Sequence, residues 1–452
     1  MNQFDVIVIG GGASGMLAAI EARKKGASVC ILERFAKLGK KILATGNGRC
    51  NLTNLSQKQE DYRSNIPSFA WDIIQRFGVE ETLQYFEKLG VFWKEERGYV
   101  YPRSEQATAI VTALELKIQS LNIQVFYEKE VIHIEKKNQK FCIKTKENEC
   151  FYSNDCIVAT GGKAQEKLGS NGSGYVLVKQ LGHTITPIAP ALTGLHTDHI
   201  ATKTWAGVRA NAAITCIVDG VVVAKEQGEI QFTNYGISGV PTFQISRYAT
   251  LGLKKKSNVE IILDFCPEYS KKELKQHLFF LINQCYYKNI RELLEGIFSK
   301  KIVPILLQEV KIKDTTLAKQ LSEQKIHSLL SIIKQFQLRV IDSNCFEQSQ
   351  VCVGGVDVRE IKKETMESKL VKGLYITGEL LDVDGTCGGY NLQWAWATGY
   401  IAGSSIQIEQ KKMKERNQYD TNIADKASCY TQRRRSKKGN KASTKTKTRR
   451  RV

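Results

Sequence analysis

A glycine cluster set between a strand and a helix constrains this chain's fold more than any other feature. Residues 4–9 form a short apolar run rich in β-branched side chains, the pattern of a parallel strand covered on both faces. The next six residues read GGGASG, Gly10 to Gly15. From Ala13 to residue 25 apolar positions recur at helical spacing, Gly26 stops the helix, and a second strand over 28–32 ends at Glu33. In that order the parts make a dinucleotide-binding unit. Gly10 permits the tight turn, Gly12 lets the backbone approach a pyrophosphate, and Gly15 lets helix and strand pack. Ala13 and Ser14 bring free amides at the helix start, where phosphate charge is favoured, and Glu33, followed by Arg34, is placed to accept hydrogen bonds from the adenosine ribose.

The rest of the chain decides which dinucleotide. A dehydrogenase for NAD continues into a compact second mononucleotide half. Here helical patterns over 71–77, 81–89 and 107–121 lead to strands over 125–134, 141–145 and 155–159, the last ending in ATGG with Gly161 and Gly162. Between 189 and 349 the texture changes to alternating strands and a charged helical block over 270–333, which reads as an inserted domain, part β-barrel-like and part helical. The chain then returns through LVKGLYITGE, an apolar strand ending at Gly378 and Glu379. DGTCGGYN and a helix over 391–404 follow. That late return predicts FAD: the closing strand presents amides to the flavin chain, and Gly388, Gly389, Tyr390 and Asn391 give another glycine-permitted approach at a helix N-terminus. The expected organisation is 1–188 first FAD-binding segment, 189–349 insert, 350–410 closing segment and 411–452 basic tail.

Charge is unevenly placed. Of the formal +20, residues 411–452 carry +13 (nine Lys and seven Arg against three acids). Such a tail, with almost nothing apolar to bury, is expected to be disordered in isolation and to attract a polyanion, foremost ribosomal RNA. The longest apolar runs fall far short of a bilayer span, the opening residues lack a signal peptide's uninterrupted apolar stretch, and the twelve cysteines are scattered singly. A cytoplasmic protein with free thiols, no membrane contact and no bound metal is expected, since no histidine sits at a metal-ligand spacing. A monomer is the expected state.

The segment TGNGRCN, Thr45 to Asn51, reads chemically. Gly46 and Gly48 allow close backbone approach, Arg49 supplies a charge-assisted donor, and Asn47 and Asn51 offer hydrogen-bonding edges. Cys50 is the candidate proton donor. Reduction of a conjugated double bond needs hydride at one carbon and a proton at its neighbour, and a thiol of pKa near ~8.5 is a plausible acid; Tyr390, Cys387 and bound water are the alternatives. Cysteine is equally a small buried packing residue. The insert has no second glycine fingerprint, so NAD(P)H is expected to dock transiently against the flavin. No CxxC accompanies the flavin loops, which argues against a disulfide reductase.

GGGASGMLAAI, LGKKILATGNGRCNLTN, ATGG, GSNGSGY, QFTNYGISG and TMESKLVKGLYITGELLDVDGTCGGYNLQWAWATG together resemble the bacterial aminoacetone-oxidase-like FAD-binding oxidoreductases, relatives of the glutathione-reductase type of flavoprotein. The resemblance implies an α/β fold, a Rossmann-type domain of the glutathione-reductase kind interrupted by a barrel and helical insert. It also implies that Lys40, Lys41 and Thr45 to Asn51 approach the pyrophosphate and flavin, and that Val131 meets the adenine through its backbone. The chain departs from the family pattern at KAQEKLGS after ATGG, at Asn234 and at Cys352. Three activities are implied: formation of dihydrouridine in large-subunit ribosomal RNA, reduction of unsaturated 3-oxo bile acids, and aminoacetone oxidation. The basic tail favours the RNA reaction, with a small-molecule ene-reductase as its rival and a ribosome-associated assembly factor as the non-enzyme alternative.

Overall fold

The computed structural model describes residues 2–408, so the basic tail lies outside the described residues. Five parallel strands form the heart of the first domain, in the order Gln124–Phe126, Val29–Leu32, Asn2–Ile9, Cys150–Val158 and Leu374–Ile376. Val6 to Ile9 and Val29 to Leu32 are buried on both faces, as their uninterrupted apolar runs require. The strand Cys150–Val158 changes partner midway. Its first half pairs antiparallel with Lys140–Thr145, and its second half pairs with Leu374–Ile376, the strand that returns after the insert.

The expected strand over 125–134 is two strands, Gln124–Phe126 and Val131–Lys137, on opposite sides of the sheet order. Glu128 takes a left-handed φ of 57°, and the Lys129 amide donates to the Glu33 carbonyl oxygen, which turns the chain across the end of Val29–Leu32.

Helix Ala13–Lys24 packs lengthwise on the closing helix Tyr390–Ser404. The contact is backbone to backbone: a Cβ at Gly399 would lie 2.3 Å from the Ser14 carbonyl oxygen, and one at Gly403 2.3 Å from that of Ala18. Only glycine allows this approach, which seats the last helix of the domain against the first.

The insert has its own core. Six strands, Leu195–Thr197, Gly236–Ser238, Val221–Phe232, Arg209–Val218, Val259–Asp264 and Phe336–Ser343, close into an antiparallel barrel around Phe232 and Phe336, with Trp205 against both rings. Helices Lys271–Gln284, Ile290–Leu294, Val303–Glu309 and Glu323–Lys334 bury a continuous apolar face on it. Ala189–Ala191 and Val351–Val353 pair antiparallel where the chain leaves and re-enters the first domain. Helix Val240–Lys254 faces the first domain. Its Arg247 makes a bidentate ion pair with Asp384, at 2.9, 3.0 and 3.2 Å, and Gln244 accepts the Cys387 amide at 2.9 Å. No helix of the described residues is long and apolar enough to cross a membrane.

Candidate active site

A cleft of about 580 Å³ runs along the carboxyl ends of the parallel strands. At one end Glu33 holds the glycine turn: its carboxylate accepts the Gly11 amide at 2.7 Å and the Phe35 amide at 2.9 Å. Burial pushes this carboxyl above its usual range, and the two amides pull it back. Arg34, Lys129, Glu130 and Val131 wall the same end.

In the middle, helix Ala13–Lys24 starts at Gly12 without a side-chain cap, so its first amides are free toward the cleft. A Cβ at Gly12 would meet nothing within 4 Å, whereas one at Gly15 would lie 2.0 Å from the Gly10 carbonyl oxygen. Gly12 keeps space for a ligand and Gly15 keeps helix against strand. Lys41 reaches Glu379 at 2.8 Å, and the other Glu379 oxygen accepts the Cys352 amide at 3.0 Å. Glu379 thus ties the middle of the cleft to strand Val351–Val353.

The far end is formed by Thr45, Gly46, Asn47, Arg49 and Asn51 on one side and Gly388, Gly389 and Asn391 on the other. Closing helix Tyr390–Ser404 begins here, also without a side-chain cap. Tyr99 and Tyr101 close the slot: a Cβ at Gly388 would lie 2.4 Å from the Tyr99 ring and one at Gly46 3.5 Å from the Tyr101 ring. Leu192, Val240 and Val351, brought by the insert and its connections, complete an apolar wall.

Most site residues expected from the sequence converge on this cleft: Gly10, Gly12, Ala13, Ser14, Glu33, Arg34, Lys40, Lys41, Thr45, Gly46, Asn47, Arg49, Asn51, Val131, Gly161, Gly378, Glu379, Gly388, Gly389 and Asn391. Gly15 and Gly162 stand behind it. A Cβ on Gly162 would press on Cys352 Sγ at 2.5 Å, so its part is close packing.

Two expected donors do not reach the cleft wall. Cys50 is fully buried, and burial pushes its thiol up to about 12, so it is neither exposed to a ligand nor the acid expected of a free thiol. Its left-handed φ of 60° and its amide bond to the Thr45 carbonyl oxygen make it the pivot that turns Arg49 and Asn51 outward. Tyr390 is also buried, and its hydroxyl donates to the Ser56 carbonyl oxygen at 2.6 Å. Residues the sequence did not single out include Thr160, Tyr99, Tyr101, Leu192 and Val240. The aromatic stretch holding both tyrosines was the available signal; nothing local marks Leu192 or Val240.

Two cleft-lining atoms, Asn51 Oδ1 and Thr160 Oγ1, are buried without a hydrogen-bond partner. Together with the open space over Gly12 and two uncapped helix starts, they fit an elongated dinucleotide whose phosphates and flavin edge would satisfy them. Glu33 would hold the ribose, Gly12 to Ser14 the pyrophosphate, and Thr45 to Asn51 with Gly388 to Asn391 the flavin.

Fold and site define an FAD-dependent oxidoreductase that uses NAD(P)H. Residues 4–405 match the family described as HI0933-like protein Rossmann domain, and the chain belongs to that family. It is 42% identical over 398 residues to the 3-dehydro-bile acid delta(4,6)-reductase of Clostridium scindens, covering 88% of this chain and 97% of the relative. It is 30% identical over 419 residues to the ribosomal RNA dihydrouridine synthase of Haemophilus influenzae, covering 90% and 99%, and 28% identical over 406 residues to that of Escherichia coli, covering 90% and 98%.

Proposed function

We propose that the protein reduces a carbon–carbon double bond conjugated to a carbonyl in a small, flat, largely apolar substrate of the steroid or bile-acid kind, with NAD(P)H as electron source. The observation that carries this reading is the far end of the cleft. Tyr99 and Tyr101 line the cleft together with Leu192, Val240 and Val351, a lining suited to a planar apolar molecule. The higher identity to the bile-acid reductase supports the same choice over RNA. It reverses the preference drawn from the basic tail, which lies outside the described residues.

FAD held in the cleft supplies two-electron transfer between NAD(P)H and substrate. The residues around it do the rest. The apolar wall excludes water and aligns the flat ring, which lowers the barrier by fixing the reacting carbons in place. Arg49 stands at this end with its Nη1 in ion pairs with Glu96 and Glu105 at 3.7 and 3.8 Å, which leaves its Nε and Nη2 donors for the carbonyl oxygen on which negative charge develops. Net, one NAD(P)H and one proton saturate one double bond.

The test is anaerobic. Holoprotein reduced with NADH or NADPH is mixed separately with a 3-oxo-4-ene steroid and with unmodified large-subunit ribosomal RNA. Flavin reoxidation by the steroid, with a product two mass units heavier, is expected. Reoxidation by RNA alone, with dihydrouridine formed, overturns the proposal and restores the tail-based reading.

A further inference from the structure

We infer that Tyr101 is the proton donor of this reduction and that the Arg49 guanidinium over its ring stabilises the charge left on the phenol. This assignment rests on the ene-reductase reading above. Saturating the double bond places hydride on the β carbon and moves its π electrons toward the α carbon and carbonyl oxygen. A proton must then reach the α carbon from a group that can lose one and touch the substrate. Cys50 and Tyr390 do not line the cleft, and the Tyr390 hydroxyl donates its hydrogen bond to the Ser56 carbonyl oxygen.

The groups that line this end, or the middle of the cleft beside it, and could give a proton to the substrate are Lys41, Tyr99, Tyr101 and Cys387. Lys41 is committed to Glu379 and to the Ala164 carbonyl oxygen. Cys387 sits 3.8 Å from Gln350 Oε1, and burial pushes its thiol up to about 11 with no cation acting on the thiolate it would leave. Tyr99 likewise has no cation acting on it, with Cys387 as its charged-state neighbour.

Tyr101 differs. The Arg49 guanidinium lies 4.5 Å from its ring centroid, and its hydroxyl has no hydrogen-bond partner among the described residues. Burial raises the phenol, with Glu96, Tyr99 and Cys387 adding to the rise, and Arg49 opposes it. The ring is packed, only 7% exposed, beside Gly46, so the hydroxyl is held at one place on the slot. In the step the O–H bond of Tyr101 breaks as the α C–H bond forms. The two electrons come from NAD(P)H, and the phenolate regains its proton from water after product leaves.

The experiment compares wild type, Tyr101→Phe, Tyr99→Phe and Arg49→Gln as FAD-loaded proteins in stopped flow, each half-reaction separately, with a 3-oxo-4-ene steroid as probe. Tyr101→Phe is expected to retain FAD and to be reduced by NADH or NADPH within a few-fold of wild type. Its reoxidation by the steroid should fall about 10²-fold or more, the usual scale for a lost positioned acid. Tyr99→Phe should lose less. A second readout needs no turnover: in ultraviolet titrations from which the curve of the matching Tyr101→Phe variant is subtracted, Arg49→Gln should move the Tyr101 phenol to higher pH.

Failure of wild type to be reoxidised by the steroid brings down the ene-reductase reading and this assignment with it. If wild type turns over, each of three results overturns this assignment alone: an undiminished Tyr101→Phe, a larger loss in Tyr99→Phe, or equal loss in both half-reactions of Tyr101→Phe.

Discussion

Replacing Asp384 with asparagine tests whether the insert holds the flavin end of the cleft in place. Asp384 is 3% exposed and accepts three close contacts from Arg247. It also pairs across two short strands with Arg63, whose Nη1 is buried without a partner. Removing the carboxylate therefore leaves two guanidinium groups around an uncharged side chain. Opposite charges at about 4 Å and an effective dielectric of about 20 attract by about 4 kcal/mol, and breaking a buried pair by removing one partner typically costs about 3–5 kcal/mol. Asparagine keeps one acceptor, so a loss of about 3 kcal/mol is expected, read by urea unfolding of the holoprotein. Arg247→Met alone should cost a similar amount. The double variant should cost less than the sum by about 2 kcal/mol, because it no longer strands a buried charge. Asp384 begins the loop that carries Gly388 and Gly389, so FAD dissociation should also rise about tenfold, or about 1.4 kcal/mol. A coupling below about 0.5 kcal/mol with unchanged FAD affinity would refute the claim that this pair positions the loop.

Other expectations follow from single residues. Cys50→Ala should keep FAD and steroid-dependent reoxidation within a few-fold while lowering stability by about 1 kcal/mol; a 10²-fold loss of reoxidation alone would put the thiol back into the chemistry. Gly15→Ala should fail to fold or lose FAD through collision with the Gly10 carbonyl oxygen, whereas Gly12→Ala should fold and lose FAD only, as judged by circular dichroism and bound flavin. Burial pushes the Asp155 carboxyl up to about 6, so the native state holds that proton more tightly than the unfolded chain. The associated stability is complete below about pH 4 and is lost as pH rises through about 6. Asp155→Asn should therefore exceed wild type in urea unfolding at pH 8 by up to about 3 kcal/mol, with the gain shrinking toward pH 5; a gain that does not change with pH would refute this.

The cofactor half of the site was legible because its chemistry is local. A turn, a close approach and a ribose acceptor are each encoded within the stretch from Gly10 to Glu33, and the structure lines them along one cleft. The strand assigned over 125–134 failed for a local reason too: the turn at Glu128 contains no glycine or proline to announce it. The substrate half depends on long-range contacts. Leu192, Val240 and Val351 gain their meaning only when the barrel docks, and no periodicity marks them as neighbours of Tyr99 and Tyr101. Cys50 shows the same limit from the other side. Its position between Arg49 and Asn51 made it look catalytic, but a left-handed backbone at that residue turns the thiol inward.

The strand that changes partner midway also sets an order of assembly. Cys156 to Val158 wait for Leu374 to Ile376, more than two hundred residues later in the chain. At synthesis rates of about 5–20 residues per second that gap lasts roughly 10–40 s. Throughout it the first helix lacks the closing helix that covers Ser14 and Ala18, and toward its end the barrel, whose core draws on residues 195–340, is complete. The nascent protein thus passes through a stage with a finished insert and an open sheet edge. FAD capture then waits for helix Tyr390–Ser404, which shuts the seam.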